Sequence, residues 1–279
     1  MRRLLILSLI IIATLSGCHK KISYKIIKPE SVVWNPLTKT YLISNAGTGY
    51  ILSLKDKYEF FVFNKKPLSS PKGMAIQGKT LYVADRTYLD GFDLQTGKRT
   101  YHFEVPDAIF LNDVATSPDG MVYVSDMERN CIFFINPATD KVDIYSNKNL
   151  TKPNGLYYFT RGEEPFLAYV CFKDKSVLEI INLKTKSLES VLNTEMPFAD
   201  GITRESDGSW LISSWADSTV WRFSADFNQR SRLAEKYDSP ADIFYSLENK
   251  ELAIPSFNGN TVTFVTKVDT TAAKSKPQK

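Results

Sequence analysis

Six short phrases recur along the chain: Pro29-Glu30-Ser31, Pro71-Lys72-Gly73, Leu111-Asn112-Asp113, Pro153-Asn154-Gly155, Ala199-Asp200-Gly201 and Pro240-Ala241-Asp242. Their middle residues fall at 30, 72, 112, 154, 200 and 241, so the steps are 42, 40, 42, 46 and 41 residues. Repeats of that length built from short strands specify a propeller, because one such unit cannot bury its apolar face alone. The expected fold is all-β, a six-bladed β-propeller with four-stranded blades. The six middle residues then converge on one central axis, the first place to look for chemistry.

The pattern within a repeat supports four strands. Residues 73–77, 80–85, 91–94 and 100–103 alternate apolar and polar side chains with period two. Pro118-Asp119-Gly120 and Ser206-Asp207-Gly208 supply turns between first and second strands. No segment holds a helical period over three turns. The sixth repeat stops after three strands, near Thr261 to Val265, whereas Ile22 to Ile27 is a spare strand before the first repeat. We expect that N-terminal strand to complete the last blade as its outer strand and so protect a sheet edge.

The chain's start has a different character. Arg2 and Arg3 precede an apolar run from Leu4 to Leu15, followed by Leu15-Ser16-Gly17-Cys18. A short apolar run with basic residues before it and small residues after it is a secretory signal. Leu-Ser-Gly-Cys resembles the bacterial lipobox, which implies lipidation of Cys18 and a protein in the cell envelope, facing the periplasm or the exterior. The expected organisation is a signal peptide over 1–17, a lipidated tether over 18–21, the propeller over 22–267 and a disordered tail over 268–279.

Charge and composition exclude several classes. Without Arg2 and Arg3, 33 basic residues face 31 acidic ones, so nothing favours nucleic acid. Cys131 and Cys171 lie inside apolar strand patterns and are expected to be buried free thiols. The two histidines are His19, in the tether, and His102, on an outer strand. A Ser-His-Asp or Cys-His apparatus therefore lacks its base, and a histidine-rich zinc site lacks its ligands.

The first-strand phrases, with Val32-Val33-Trp34-Asn35 after the first and a Pro-Asp-Gly turn after Asn112-Asp113, resemble the senescence marker protein, gluconolactonase and luciferin-regenerating-enzyme family. The resemblance runs from Glu30 to about Val265. It implies a six-bladed propeller with one axial divalent cation, most often calcium, held by Glu30, Asn154 and Asp200. Asn112 resembles the asparagine that contacts substrate or supplements the metal. Two carboxylates and an amide carbonyl are hard oxygen ligands, and water can fill the remaining positions. In such a site a lactone or ester is hydrolysed by metal-bound water, with Asp200 as the catalytic residue that takes its proton.

Two residues depart from the family's pattern. Sugar lactonases commonly carry an arginine two positions before the asparagine, where this chain has Phe110. Lys72 also puts a cation in the ring. At roughly 8 Å and an effective dielectric near 20 it would repel a divalent ion by about 4 kcal/mol, roughly three decades of affinity. The alternative is a polar plug in which Lys72 pairs with Glu30 or Asp200. Asp113 and Asp242 are expected to bond nearby backbone.

The last residues of the second strands line the same mouth. Aligned across repeats they are Asn45, Asp85, Asp126, Phe172, Trp215 and Phe257. The mouth is thus expected to be polar on one side and aromatic on the other, with Asn112, Lys72, Phe172, Trp215 and Phe257 contacting a small organic substrate. Two functions follow from the sequence. One is a membrane-anchored, extracytoplasmic propeller that hydrolyses a lactone or ester with a metal ion. The other is a non-catalytic propeller, close to NHL-type repeats, that binds a protein, peptide or envelope glycan.

Overall fold

The computed structural model describes residues 25–55, 60–148, 150–266 and 270–272. They form an all-β, six-bladed propeller. Blade 1 comprises β1 (Pro29–Asn35), β2 (Thr40–Asn45), β3 (Tyr50–Leu54) and β4 (Phe60–Val62), and blade 2 comprises β5 (Pro71–Gln77), β6 (Thr80–Asp85), β7 (Tyr88–Asp93) and β8 (Arg99–Glu104). Blade 3 holds β9 (Leu111–Thr116), β10 (Val122–Asp126), β11 (Cys131–Asn136) and β12 (Lys141–Tyr145). Blade 4 holds β13 (Pro153–Arg161), β14 (Glu164–Cys171), β15 (Val177–Asn182) and β16 (Ser187–Asn193). Blade 5 follows with β17 (Ala199–Arg204), β18 (Trp210–Ser214), β19 (Thr219–Phe223) and β20 (Arg230–Leu233), and blade 6 with β21 (Phe244–Ser246), β22 (Glu251–Ser256) and β23 (Thr261–Val265). Each is an antiparallel meander in chain order.

The core lies between blades. Six apolar clusters each span one blade junction, and the one joining blade 6 to blade 1 contains Val32, Tyr41, Ile43 and Ala253. Alternation puts one side-chain set of a blade against the preceding neighbour and the other against the following one, so both faces are apolar. Cys131 and Cys171 are buried in these junctions as free thiols, and burial pushes them up to about 11 and about 12.

The ring closes at its inner strands. Ser31 bridges Asp242 in parallel register, and the Asp242 N–H donates to the Glu30 carbonyl at 2.9 Å. Of the strand expected over Ile22 to Ile27, residues 22–24 lie outside the described residues, and residues 25–27 are irregular. This segment follows the turn after β2: the Gly47 N–H donates to the Ile27 carbonyl, and the Asn45 amide bonds Ile27 N–H and the Lys25 carbonyl. Of the expected tail, Thr270–Ala272 forms β24, a fifth strand on blade 5 beside β20. Among the described residues no helix is long and apolar enough to cross a membrane.

One irregularity repeats. The register of the two inner strands shifts between Pro29 and Val32, Pro71 and Met74, Pro153 and Leu156, and Ala199 and Ile202, and opposite Asp113 in blade 3. These bulges fall on the recurring phrase. The extra residue re-aims its side chain toward the axis. In blades 1, 3 and 5 a buried serine of the second strand accepts the bulge N–H: Ser44 from Ser31, Ser125 from Asp113 and Ser213 from Gly201.

Close approach explains the glycines of the phrase. A Cβ on Gly155 would lie 2.4 Å from the Asp200 carbonyl oxygen and 3.0 Å from the Gly201 Cα. A methyl there meets backbone, which cannot step aside. Gly155→Ala is expected to cost about 3 kcal/mol in urea unfolding, against about 1 kcal/mol for Gly162→Ala, a left-handed turn glycine with open space around it. Equal losses would mean that the inner strands are free to spread.

Candidate functional site

At the bulged end of the axis, Glu30, Asn112, Asn154 and Asp200 are each 5% exposed or less. Lys72 Nζ lies 3.7 Å from Glu30 Oε1, with side chains 14% and 5% exposed. The Asn154 side chain favours the ionised form of Asp200. Asn112 Nδ2 makes a long contact with the Met127 sulfur at 3.7 Å. The sixth member of the ring, Ala241 in blade 6, brings no polar side chain.

One residue further along each strand lies a second layer: Ser31, Gly73, Asp113, Gly155, Gly201 and Asp242. Asp113 accepts N–H bonds from Val114 at 2.7 Å and from Leu156 of the next blade at 2.6 Å. Asp242 accepts the Ser31 hydroxyl at 2.5 Å. These bonds tie blade 3 to blade 4 and blade 6 to blade 1.

The axis therefore gathers four carboxyl groups and one ammonium. Loss of water pushes all four carboxyls up. Burial raises Glu30 to about 7, with Lys72 acting in the opposite direction, and raises Asp113 to about 8. Asp200 stands well above the usual carboxylate range through burial and then through Glu30. Asp242 is raised in the same way by burial and Asp113. Like charges at this spacing cannot all ionise without further positive charge.

The donor chemistry suits a cation here. Among the described residues, four buried side-chain atoms lack a hydrogen-bond partner: Glu30 Oε2, Asp200 Oδ1, Trp215 Nε1 and Asp90 Oδ2. The first three belong to this mouth, so it is organised to meet something other than the chain itself. No three Asp, Glu, His or Cys side chains among the described residues form a metal-ligating group. A cation would rest on Glu30 and Asp200 with the Asn154 carbonyl oxygen, and water would complete the shell.

The rim departs in register from the sequence alignment. Pairing places Asn45, Asp85 and Asp126 opposite Pro29, Pro71 and Leu111. In the later blades the equivalent positions are Cys171, Ser214 and Ser256, so Phe172, Trp215 and Phe257 each stand one residue further on. Asn45, Asp85 and Asp126 bond backbone: Asp85 takes the N–H groups of Ser69 and Ser70, and Asp126 those of Ile109, Phe110 and Arg129. The aromatics, freed from the strands, form a chain from Phe198 through Phe172 and Trp215 to Phe257 with centroid spacings of 5.0, 5.9 and 5.4 Å.

Lys72 sits between Phe110 at 5.5 Å and Phe257 at 5.3 Å, so its ammonium is held by Glu30 and two ring faces. Phe110 and Phe198 were not foreseen as parts of the rim. Phe110 stands two residues before Asn112, the one sequence signal available. Phe198 turns inward because its backbone is left-handed, φ 50°, which a bulky residue rarely adopts. His102 lies on outer strand β8, bonded to Asp90 and stacked on Tyr88.

No protein-family model matches the chain, and no curated protein sequence matches it. Solved structures do. A streptogramin B lyase is 15% identical with a TM-score of 0.64, over 82% of this chain and 76% of that one. Selenomethionine-substituted virginiamycin B lyase from Staphylococcus aureus is 12% identical with a TM-score of 0.64, over 91% and 87% of the two chains. A catalytically inactive His-to-Ala variant of that lyase with quinupristin is 11% identical with a TM-score of 0.66, over 90% and 85%. At these identities the likeness is one of fold.

The raised carboxyls predict a pH profile. Glu30 and Asp113 bind protons more tightly folded than unfolded, so their stabilisation is complete below the unfolded values and is lost as pH rises through about 7 and about 8. In chelator-treated protein the melting temperature should fall from pH 5 to pH 8.5. Excess calcium should flatten the fall, because bound cations favour ionised carboxylates. A chelated protein whose melting temperature rises over that range would contradict the charge arrangement.

Proposed function

We propose that this protein is a lipid-anchored, extracytoplasmic propeller that hydrolyses a small lactone or ester at its bulged axial end, with a divalent cation, most readily calcium, bound by Glu30, Asn154 and Asp200. The observation that carries the proposal is the set of partnerless buried atoms there, Glu30 Oε2, Asp200 Oδ1 and Trp215 Nε1. Two are acceptors on the axis, suited to a cation. The third is a donor at the rim, suited to a substrate oxygen.

When bound, the cation would supply a Lewis acid for a carbonyl and would lower the pKa of attached water. The chain supplies the rest. Asp200 would take the proton at the carboxyl oxygen that does not face the cation. The Trp215 N–H and the Asn112 amide orient substrate oxygens, and the Lys72 ammonium stabilises negative charge developing on the acyl oxygen. Phe172, Trp215 and Phe257 cover the apolar body of the substrate and limit water. This chemistry does not borrow from the lyase whose inactive variant replaces a histidine. His102 is on an outer strand, and His19 lies outside the described residues.

Envelope location rests on Leu15-Ser16-Gly17-Cys18 after a basic and apolar leader. Cells fed labelled palmitate should label the wild-type chain but not Cys18→Ser, and label in both would remove the anchor from the proposal.

The 3.7 Å pair between Lys72 and Glu30 favours a second reading, a polar plug in a propeller that only binds a protein, peptide or envelope glycan. Turnover separates the two. Against a panel of lactones and aryl esters, activity should fall at least about a hundredfold on chelation, return with calcium, and be lost in Asp200→Ala. Lys72→Ala should tighten calcium binding by about tenfold or more. Silence across the panel with calcium bound would select the binding role.

A further inference from the structure

A second opening lies at the other end of the axis. It is a cavity of about 450 Å³ bounded by residues that follow the bulges on the inner strands, together with the turn after β21. At about 3.3 Å per residue its outer wall stands on the order of 10 Å beyond the ring of Glu30 and Asp200. Nothing described for the bulged end uses it.

Its chemistry is one-sided. Trp34, Tyr157, Phe244 and Tyr245 form aromatic walls, and Asp113, Asp242 and Glu248 bring three carboxyl groups. Among the described residues no lysine, arginine or histidine lines it. The wall is built rather than incidental: the Trp34 indole N–H donates to Glu248 Oε2 at 2.8 Å, which fixes its ring, and the Tyr245 N–H donates to Thr203 Oγ1 at 3.2 Å. Asp113 is spent on the backbone of Val114 and Leu156. Asp242 is only part buried, and the open space on its side of the axis is this cavity.

We propose that this end is a second binding site, for a small organic cation with an aromatic or branched apolar body. Ring faces and carboxylates in a half-enclosed space attract an ammonium, and the same surroundings penalise an anion. The volume lies in the range of small-molecule sites. The ammonium points toward Asp242 and Glu248, and the apolar body packs against Trp34, Tyr157, Phe244 and Tyr245.

The test uses the mature propeller with three probes of one shape class: benzyltrimethylammonium, neopentylbenzene as its neutral isostere, and phenylacetate. Calorimetry or ligand-observed magnetic resonance should find saturable binding of the cation, at least about tenfold tighter than of either other probe. Trp34→Ala and Glu248→Gln should each weaken it several-fold. Ala75→Trp, which fills the cavity, should abolish it while the melting transition stays cooperative. Lys72→Ala, at the opposite end, should leave it unchanged. Equal binding of the neutral isostere, binding that survives Ala75→Trp, binding lost in Lys72→Ala, or no cation binding up to about 10 mM would each overturn the proposal. Its outcome does not depend on hydrolysis at the bulged end.

Discussion

A single backbone device organises this molecule. The bulge that opens the inner strands puts one extra residue where the blades converge, and that residue has nowhere to point but the axis. The residue after it sits where neighbouring inner strands nearly touch. At Gly73, Gly155 and Gly201 a Cβ would meet backbone of the next blade between 2.4 and 2.5 Å away. At Asp113 and Asp242 the side chain instead becomes the link, bonding Leu156 and Ser31 across a blade junction. The same short phrase therefore narrows the channel, fastens the ring and delivers the polar residues.

Electrostatics at that point is a contest between burial and charge. Burial pushes four carboxyls up, although Asp242 keeps part of its surface open, and one ammonium lies among them. Lys72 meets only one oxygen of Glu30, and it is held there partly by Phe110 and Phe257. A chain that needed only a plug could have used neutral residues at lower cost. Keeping Glu30 and Asp200 with unpaired oxygens is sensible if a cation completes them. The other end of the axis shows the opposite balance, with acids, aromatic walls and, among the described residues, no base.

The propeller was legible because its signal is summed over six repeats, and turn residues and period-two alternation fall in step with them. Glu30, Lys72, Asn112, Asn154 and Asp200 were legible as a convergent set for the same reason. The bulge was not, because a register shift leaves no mark in a two-residue alternation. That is why Phe172, Trp215 and Phe257 were aligned with Asn45, Asp85 and Asp126, although pairing puts them one residue further on and outside the strands. Phe198 depends on a left-handed backbone that its residue type argues against. The far cavity stayed hidden because its wall combines inner-strand residues that read simply as core with Leu247 and Glu248 from a turn.

The central claim is that Glu30, Asn154 and Asp200 form a cation site on the axis despite Lys72. Anomalous diffraction from crystals grown with manganese in place of calcium locates such an ion directly. The predicted result is one strong peak between Glu30 Oε2 and Asp200 Oδ1, with the Lys72 ammonium moved away from Glu30. Crystals with no peak on the axis at saturating manganese, and with Lys72 still against Glu30, would contradict it.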